Sequence, residues 1–339
     1  MPLPLVVAED NYKEMKDLSK DAANHLAVDE AGAGQRVDNF LLRVLKGVPK
    51  SHVYRILRSG EVRVNRKRVR PDTRLALGDD LRIPPVRTAA AAKRPSPAPR
   101  PVALPILYED AALIAIDKPP GLAVHGGSGI SFGLIEQLRA ARPQAPFLEL
   151  VHRLDRETSG VLLVAKKRAA LLALHATLRE GAADKRYLVL VKGRWRDATR
   201  RVALPLAKYV TGESERRVRV EHEGGQAART VFHRRRVWPD AVPALSLLEA
   251  ELHTGRTHQI RVHLTYLGFP LAGDAKYGDF AWNRALAKQG LKRMFLHAWR
   301  LALPHPMTAL PLNLESPLPA DLDAFLSGLD GAQAAASDA

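Results

Sequence analysis

One stretch of 22 residues constrains this chain more than any other. Between Pro84 and Pro105 seven positions are proline, and the four alanines at 89–92 lead into Lys93-Arg94. Proline fixes φ and has no N–H to donate, so such a segment can neither join a sheet ladder nor continue a helix. Its composition makes a semi-rigid, partly extended tether. The residues before it must therefore bury a core of their own, separate from that of the residues after it. The expectation is a small domain over 29–85, a linker over 86–104 and a larger domain over 105–329, with disordered ends at 1–28 and 330–339. A length of 339 residues is enough for two such cores.

The small domain shows two periodicities. Val37, Phe40, Leu41, Val44 and Leu45 recur at helical spacing, which predicts a helix from Asp38 to Lys46 closed by Gly47. Ser51 is the expected N-cap of a second helix that buries Val53, Ile56 and Leu57 and stops at Gly60. The alternation of Glu61-Val62-Arg63-Val64 predicts a strand, Asn65-Arg66 a turn, and Val69 with the Leu81/Ile83 pair the rest of a small sheet. Charge lies on this frame unevenly: residues 34–87 hold fourteen Lys/Arg against five acids, and Arg58–Arg70 holds six against one. Arg55, Arg58, Arg63, Arg66, Lys67 and Arg68 are the candidate RNA-binding side chains, suited to backbone phosphates, which carry no base identity.

The whole chain has 52 Lys+Arg against 36 Asp+Glu, a net +16, and this points to a polyanionic partner. A hydrophobic share of 46% excludes a mainly disordered chain. The absence of cysteine excludes a disulfide scaffold, a zinc ribbon and a thiol nucleophile. Apolar runs such as Gly160–Ala165 fall far short of the ~20 residues of a membrane helix. No basic start leads into an apolar stretch at the N-terminus, so no secretion signal is read, and a cytoplasmic location without a membrane partner is expected. There is no GxxxxGK[ST] and no GxGxxG, and Gly126-Gly127-Ser128-Gly129 fits neither. His152, Asp155 and Ser159 are the residue types of a protease triad, but Ser159 has no GxSxG elbow.

Beyond Pro105 the pattern is α+β with a largely antiparallel sheet, because its strands are not regularly separated by helices. Strands are expected at Leu113–Ile116, Tyr187–Val191, Thr230–Val237 and Leu245–Leu252, and helices at Phe132–Arg142 and Arg168–Arg179. Two runs concentrate chemistry. In Val151–Gly160, Asp155 stands between Arg153 and Arg156 on a polar loop that feeds the strand Val161–Ala165. Flanking guanidinium groups favour an ionised carboxylate, which could act as nucleophile or base; the same residues would equally serve a surface ion pair. In Thr254–His263, read as opening a helix, Arg256 and Arg261 are candidates to pair with Asp155 or with a phosphate. His253, His258 and His263 are not read as metal ligands, since residues five apart on a helix point about 140° apart. Tyr187 is either an aromatic that stacks on a base or a core tyrosine.

The runs HRLDRETSGVLLVAK (152–166), KRYLVLV (185–191), TGRTHQIRVH (254–263) and GDAKYGD (273–279) resemble, in that order, the RluA-type family of RNA pseudouridine synthases. GQRVDNFL (34–41), GEVRVN (60–65) and GDDLRIPP (78–85) resemble the alpha-L RNA-binding domain that precedes the catalytic domain in several members. The resemblance covers residues 30–320. It implies that Asp155 is the catalytic aspartate, that Tyr187 stacks beside the target uracil and that Arg261 salt-bridges the aspartate. It also implies that Arg153 helps hold the opened RNA and that Arg256 touches phosphate. The runs at 46–65 and 124–140 are most like members that modify uridines of 23S rRNA. The implied substrate is 23S rRNA or a large-subunit assembly intermediate, with no cofactor, no metal and no obligate protein partner. Two other readings compete with this one. An RNA uridine methyltransferase wants a cysteine for addition at carbon 6, and a non-enzymatic assembly factor would leave 152–166 unexplained.

Overall fold

The structure, a computed structural model, describes residues 22–29, 32–45, 47–86, 104–126, 132–212 and 215–337. Residues 1–21, most of the 86–104 linker and Gly127–Gly129 lie outside the described residues. The chain divides into two compact units, 1–98 and 99–339.

The first unit comprises β1 (Asn24–Ala27), α1 (Val37–Val44), α2 (Lys50–Arg58), β2 (Arg63–Val64), β3 (Lys67–Arg68) and β4 (Asp80–Ile83). The sheet runs β1-β4-β2-β3, antiparallel throughout. Val37, Phe40, Leu41, Val53, Ile56 and Leu57 from the helices pack with Leu81 and Ile83 as one core. β1 falls in a stretch expected to be disordered; it forms because β4 offers it a partner, with Leu26 opposite Leu81. Ser51 is not the N-cap. Pro49 takes that place, its carbonyl accepting from His52 and Val53. Its ring presets the extended entry and it has no N–H to leave unpaired. Asn65 and Arg66 are both left-handed (φ 49° and 69°), the conformation a two-residue hairpin turn demands.

The second unit begins with β5 (Ile106–Glu109), β6 (Leu113–Lys118), α3 (Leu134–Ala141), β7 (Glu149–Leu150), β8 (Ser159–Ala165) and α4 (Arg168–Glu180). It continues with β9 (Asp184–Lys192), β10 (Thr199–Ala203), β11 (Leu206–Val210), β12 (Arg216–Val220), β13 (Arg229–Trp238) and β14 (Leu245–Leu252). It ends with α5 (Gln259–Tyr266), α6 (Phe280–Lys288), β15 (Leu296–Pro304), β16 (Pro311–Glu315) and α7 (Ala320–Ser337). The main sheet runs β10-β13-β14-β9-β15-β8-β6-β5, with β16 on β15, β7 on β8, and β11–β12 as a separate ribbon. Only β8 with β15 is parallel among the described pairs. Where they meet, Gly160 has φ 110°, and a Cβ there would lie 2.2 Å from the Ala298 carbonyl oxygen, so only glycine fits. The 330–339 tail expected to be disordered continues α7 to Ser337: its alanines favour helix, and Asp330 accepts from Trp238 Nε1 at 2.8 Å. Among the described residues no helix is long and apolar enough to cross a membrane.

Candidate active site

The loop entering β8 is held from beneath. Lys118, at the end of β6, is fully buried and donates to the carbonyls of Pro119 (2.8 Å), Leu122 (2.8 Å) and Arg156 (3.0 Å). Burial pushes its ammonium down to about 8, against the pull of Glu157 and Asp155. Leu154 is buried in the core with Ile116 and Leu162, and the Thr158 N–H donates to the Asp155 carbonyl at 3.1 Å. His152 Nε2 accepts the Leu163 N–H at 3.2 Å, and burial pushes the imidazole down to about 4, so it is neutral at pH 7. With its neighbours tied down, the half-buried Asp155 projects into a cleft.

Its partner is Arg261, whose Nη1 donates to Asp155 Oδ2 at 2.9 Å. The other side of the same guanidinium grips Asp274, with Nε and Nη2 each 2.8 Å from a carboxylate oxygen. Asp274 is fully buried, and its Oδ1 also accepts the backbone N–H groups of Lys276 (2.8 Å) and Tyr277 (3.0 Å). Burial opposes both charges, but their mutual hydrogen bonds and attraction win: Arg261 is held above its ordinary pKa and Asp274 below. The sequence neighbours do not supply this contact. Arg153 is exposed along the cleft wall and Arg156 Nε donates to the Gly121 carbonyl at 2.9 Å. The sequence reading gives Asp274 no role; the signal for it is an acid in the GDAKYG turn, where a side chain can cap two N–H groups.

Tyr187, on β9 opposite Ala250 of β14, lines the cleft with Arg153, Asp155, Arg256, His258 and Arg261. Burial raises its phenol well above the ordinary range, and the Asp155 charge adds to this, so the ring stays neutral. The cleft volume is about 110 Å³. That is well below the ~300–1,000 Å³ of a drug-sized pocket and on the scale of one small flat ring.

The helix expected across Thr254–His263 starts only at Gln259. Before it, Gln259 ties down a turn: its Oε1 accepts from Thr254 Oγ1 (2.7 Å) and the Arg256 N–H (3.0 Å). Its Nε2 donates to the Arg229 carbonyl and to Thr230 Oγ1. Arg256 is exposed, its Nε donating to the Ala227 carbonyl at 3.1 Å. The three histidines diverge. His253 meets Glu251 at 3.0 Å, and His263 lies buried between Thr230 and the Leu204 carbonyl. His258 points into the cleft, with Nε2 3.8 Å from Asp155 Oδ2 and Nδ1 2.8 Å from the Tyr277 hydroxyl.

In the first unit, Arg55, Arg58, Arg63, Arg66, Lys67 and Arg68 are all exposed. Arg63 and Arg68 donate to backbone, to the Arg66 carbonyl (3.3 Å) and the Arg58 carbonyl (3.1 Å). Among the described residues none of the six stands within 4.0 Å of a carboxylate.

Comparison with known proteins gives two family matches: the RNA pseudouridylate synthase model over residues 112–266 and the S4 domain over 35–81. Ribosomal large subunit pseudouridine synthase C of Escherichia coli (strain K12) is 50% identical over 314 residues, 91% of this chain and 97% of that protein. The like-named protein of Pasteurella multocida (strain Pm70) is 46% identical over 323 residues, 94% and 98% of the two chains. Among solved structures, Human RNA Pseudouridylate Synthase Domain Containing 4 is similar with TM-score 0.53 and 25% identity, covering 67% of this chain and 93% of that one.

Proposed function

As the chain belongs to the RNA pseudouridylate synthase family, it is an isomerase that converts uridine to pseudouridine in RNA, and we propose that Asp155 is its catalytic carboxylate and 23S rRNA its substrate. A large-subunit assembly intermediate would present the same RNA. The observation that carries the assignment of Asp155 is its anchoring by Arg261, itself locked to the buried Asp274, in a small cleft that Tyr187 also lines.

The reaction breaks the bond between ribose C1′ and uracil N1, turns the base and joins C1′ to carbon 5. C5 loses a proton and N1 gains one, so the nucleotide keeps its composition and no electrons are exchanged. No cofactor is required by that balance. The ribose centre becomes electron-poor, and a fixed carboxylate beside it is useful in the way it is in glycoside hydrolysis. Asp155 either adds to the sugar or removes its 2′ proton. Arg261 holds the carboxylate in place for either role. The target base must first leave its stack, and the neutral ring of Tyr187 offers a face to stack on. The exposure of Arg153 and Arg256 along the cleft supports a role for them on the RNA backbone, and the exposed Arg55, Arg58, Arg63, Arg66, Lys67 and Arg68 of the S4 domain support a second basic surface.

The test is tritium release from 23S rRNA labelled at uridine carbon 5, followed by nucleoside chromatography. The expected result is stoichiometric release with pseudouridine as product. A methylated uridine, or RNA binding without release, would overturn the proposal in favour of a methyltransferase or an assembly factor.

A further inference from the structure

We propose that His258 is a further catalytic residue: a fixed N–H donor to the uracil as its bond to ribose breaks. This rests on the pseudouridine synthase reading above. The Tyr277 hydroxyl accepts the Val218 N–H at 2.9 Å, and among the described residues the acceptor left for its own proton is His258 Nδ1 at 2.8 Å, which assigns the tautomer. A neutral imidazole whose Nδ1 accepts carries its proton on Nε2. That Nε2 lines the cleft. It lies 3.8 Å from Asp155 Oδ2, beyond hydrogen-bond range, and has no acceptor among the described residues. The N–H is therefore oriented by the protein yet left for something that enters beside Asp155.

Two further observations fit a residue placed for use. His258 has φ 54°, a left-handed backbone that a side-chain-bearing residue rarely adopts, and this turns its ring into the cleft at the head of α5. Its pKa is lowered, by burial first, with Asp155 opposing and Arg261 and Lys276 assisting, so the ring donates as a neutral group and does not neutralise the carboxylate.

The chemistry has a use for such a donor whichever role Asp155 plays. When C1′–N1 breaks, the electron pair leaves with the base and negative charge spreads over N1 and O2. Since Asp155 works at C1′ or C2′, a donor 3.8 Å from its carboxylate reaches the N1/O2 edge. No proton is transferred to or from His258; the N–H stabilises charge that exists only as the bond opens. Losing one preorganised donor of this kind lowers turnover by about 10²–10³-fold.

The experiment compares wild type, His258→Gln, His258→Asn and His258→Leu in single-turnover tritium release at saturating rRNA, with RNA affinity and circular dichroism measured in parallel. A glutamine amide nitrogen can reach the Nε2 position, whereas an asparagine amide reaches only Nδ1. The expected result is that His258→Gln keeps much of the wild-type rate while His258→Asn and His258→Leu lose roughly 10²–10³-fold at unchanged RNA affinity. Comparable rates for Gln and Asn, or a Leu variant near wild type, would overturn the role of His258. A wild-type protein that releases no tritium would overturn the reading of function itself, so the two failures are distinguishable.

Discussion

Arg66, Lys67 and Arg68 on the N-terminal hairpin and Arg261 in the catalytic cleft carry the same charge in opposite settings. The hairpin cations stand in solvent, with no carboxylate within 4.0 Å among the described residues. Arg261 is 8% exposed and is shared between two carboxylates. It is not alone in its unit: Arg186 meets Asp184, Glu249 and Glu251, Arg142 meets Glu109, and Arg293 meets Asp321. A cation that folding leaves unpaired is free for phosphate and adds to the salt dependence of RNA binding. A cation that folding has paired is part of the scaffold, and its removal strands a buried charge. Excess positive charge thus marks the hairpin of the first unit, while the catalytic unit commits Arg261, Arg186, Arg142 and Arg293 to internal geometry and keeps Arg153 and Arg256 exposed at the cleft.

The sharpest break of this contrast is Arg261→Met. It leaves Asp274 buried without a counter-charge, and the catalytic unit should lose roughly 3–5 kcal/mol in urea unfolding along with its turnover. Arg66→Met, at an exposed site, should stay within about 0.5 kcal/mol. Equal stability losses would erase the distinction. In Arg261→Met with Asp274→Leu, part of the stability should return while activity does not, because the second change removes the stranded charge.

Replacing Arg66, Lys67 and Arg68 together by alanine inverts the pattern. If each releases one phosphate, the slope of log affinity against log salt should flatten by roughly 2 units, with catalysis on saturating short RNA preserved. An unchanged slope would mean that this hairpin does not hold RNA.

A smaller contrast concerns acid. His152 is pushed down to about 4 in the folded protein from an ordinary 6.5, so as pH falls between those values the unfolded chain binds more protons. The stability of the catalytic unit should therefore decline from pH 6.5 towards 4, and His152→Asn should flatten that decline in urea titrations at about pH 7 and pH 5. A wild-type curve as flat as the variant's would contradict the assignment. The smallest expected effect is none: EDTA should leave activity unchanged when monovalent salt keeps the RNA folded, because His253, His258 and His263 turn to separate partners. Activity lost to EDTA and restored by zinc would show a metal site.

The contrast between local and distant partners also decides what could be read in the sequence. Strand β14 was legible to the residue, Leu245–Leu252, because its burial follows directly from its composition. Asp155 was legible as the acid set between Arg153 and Arg156 on a polar loop. Its true partner was legible only as one of two candidates, Arg256 or Arg261, until the resemblance chose between them, since Arg261 lies 106 residues away and local charge pointed to Arg153 and Arg156. The roles of Asp274 and Tyr277 and the orientation of His258 were not legible, because they arise where the 273–279 turn, α5 and β12 converge. The start of α5 was misplaced for a local reason: Gln259 ties the preceding turn with its side chain, and helical periodicity carries no trace of such a tie. Strand β1 was missed because four residues gain their order from pairing with β4, not from any pattern of their own.

The central claim is that the carboxylate anchored by Arg261 performs the chemistry, and Asp155→Asn tests it most directly. The substitution keeps the side chain's size and an oxygen for the Arg261 Nη1 contact while removing the charge and the basicity. Measured by tritium release and nucleoside chromatography on 23S rRNA, it should cut pseudouridine formation by at least about 10²–10⁴-fold, with RNA affinity and unfolding close to wild type. A folded Asp155→Asn variant that still forms pseudouridine at a substantial rate would contradict the account.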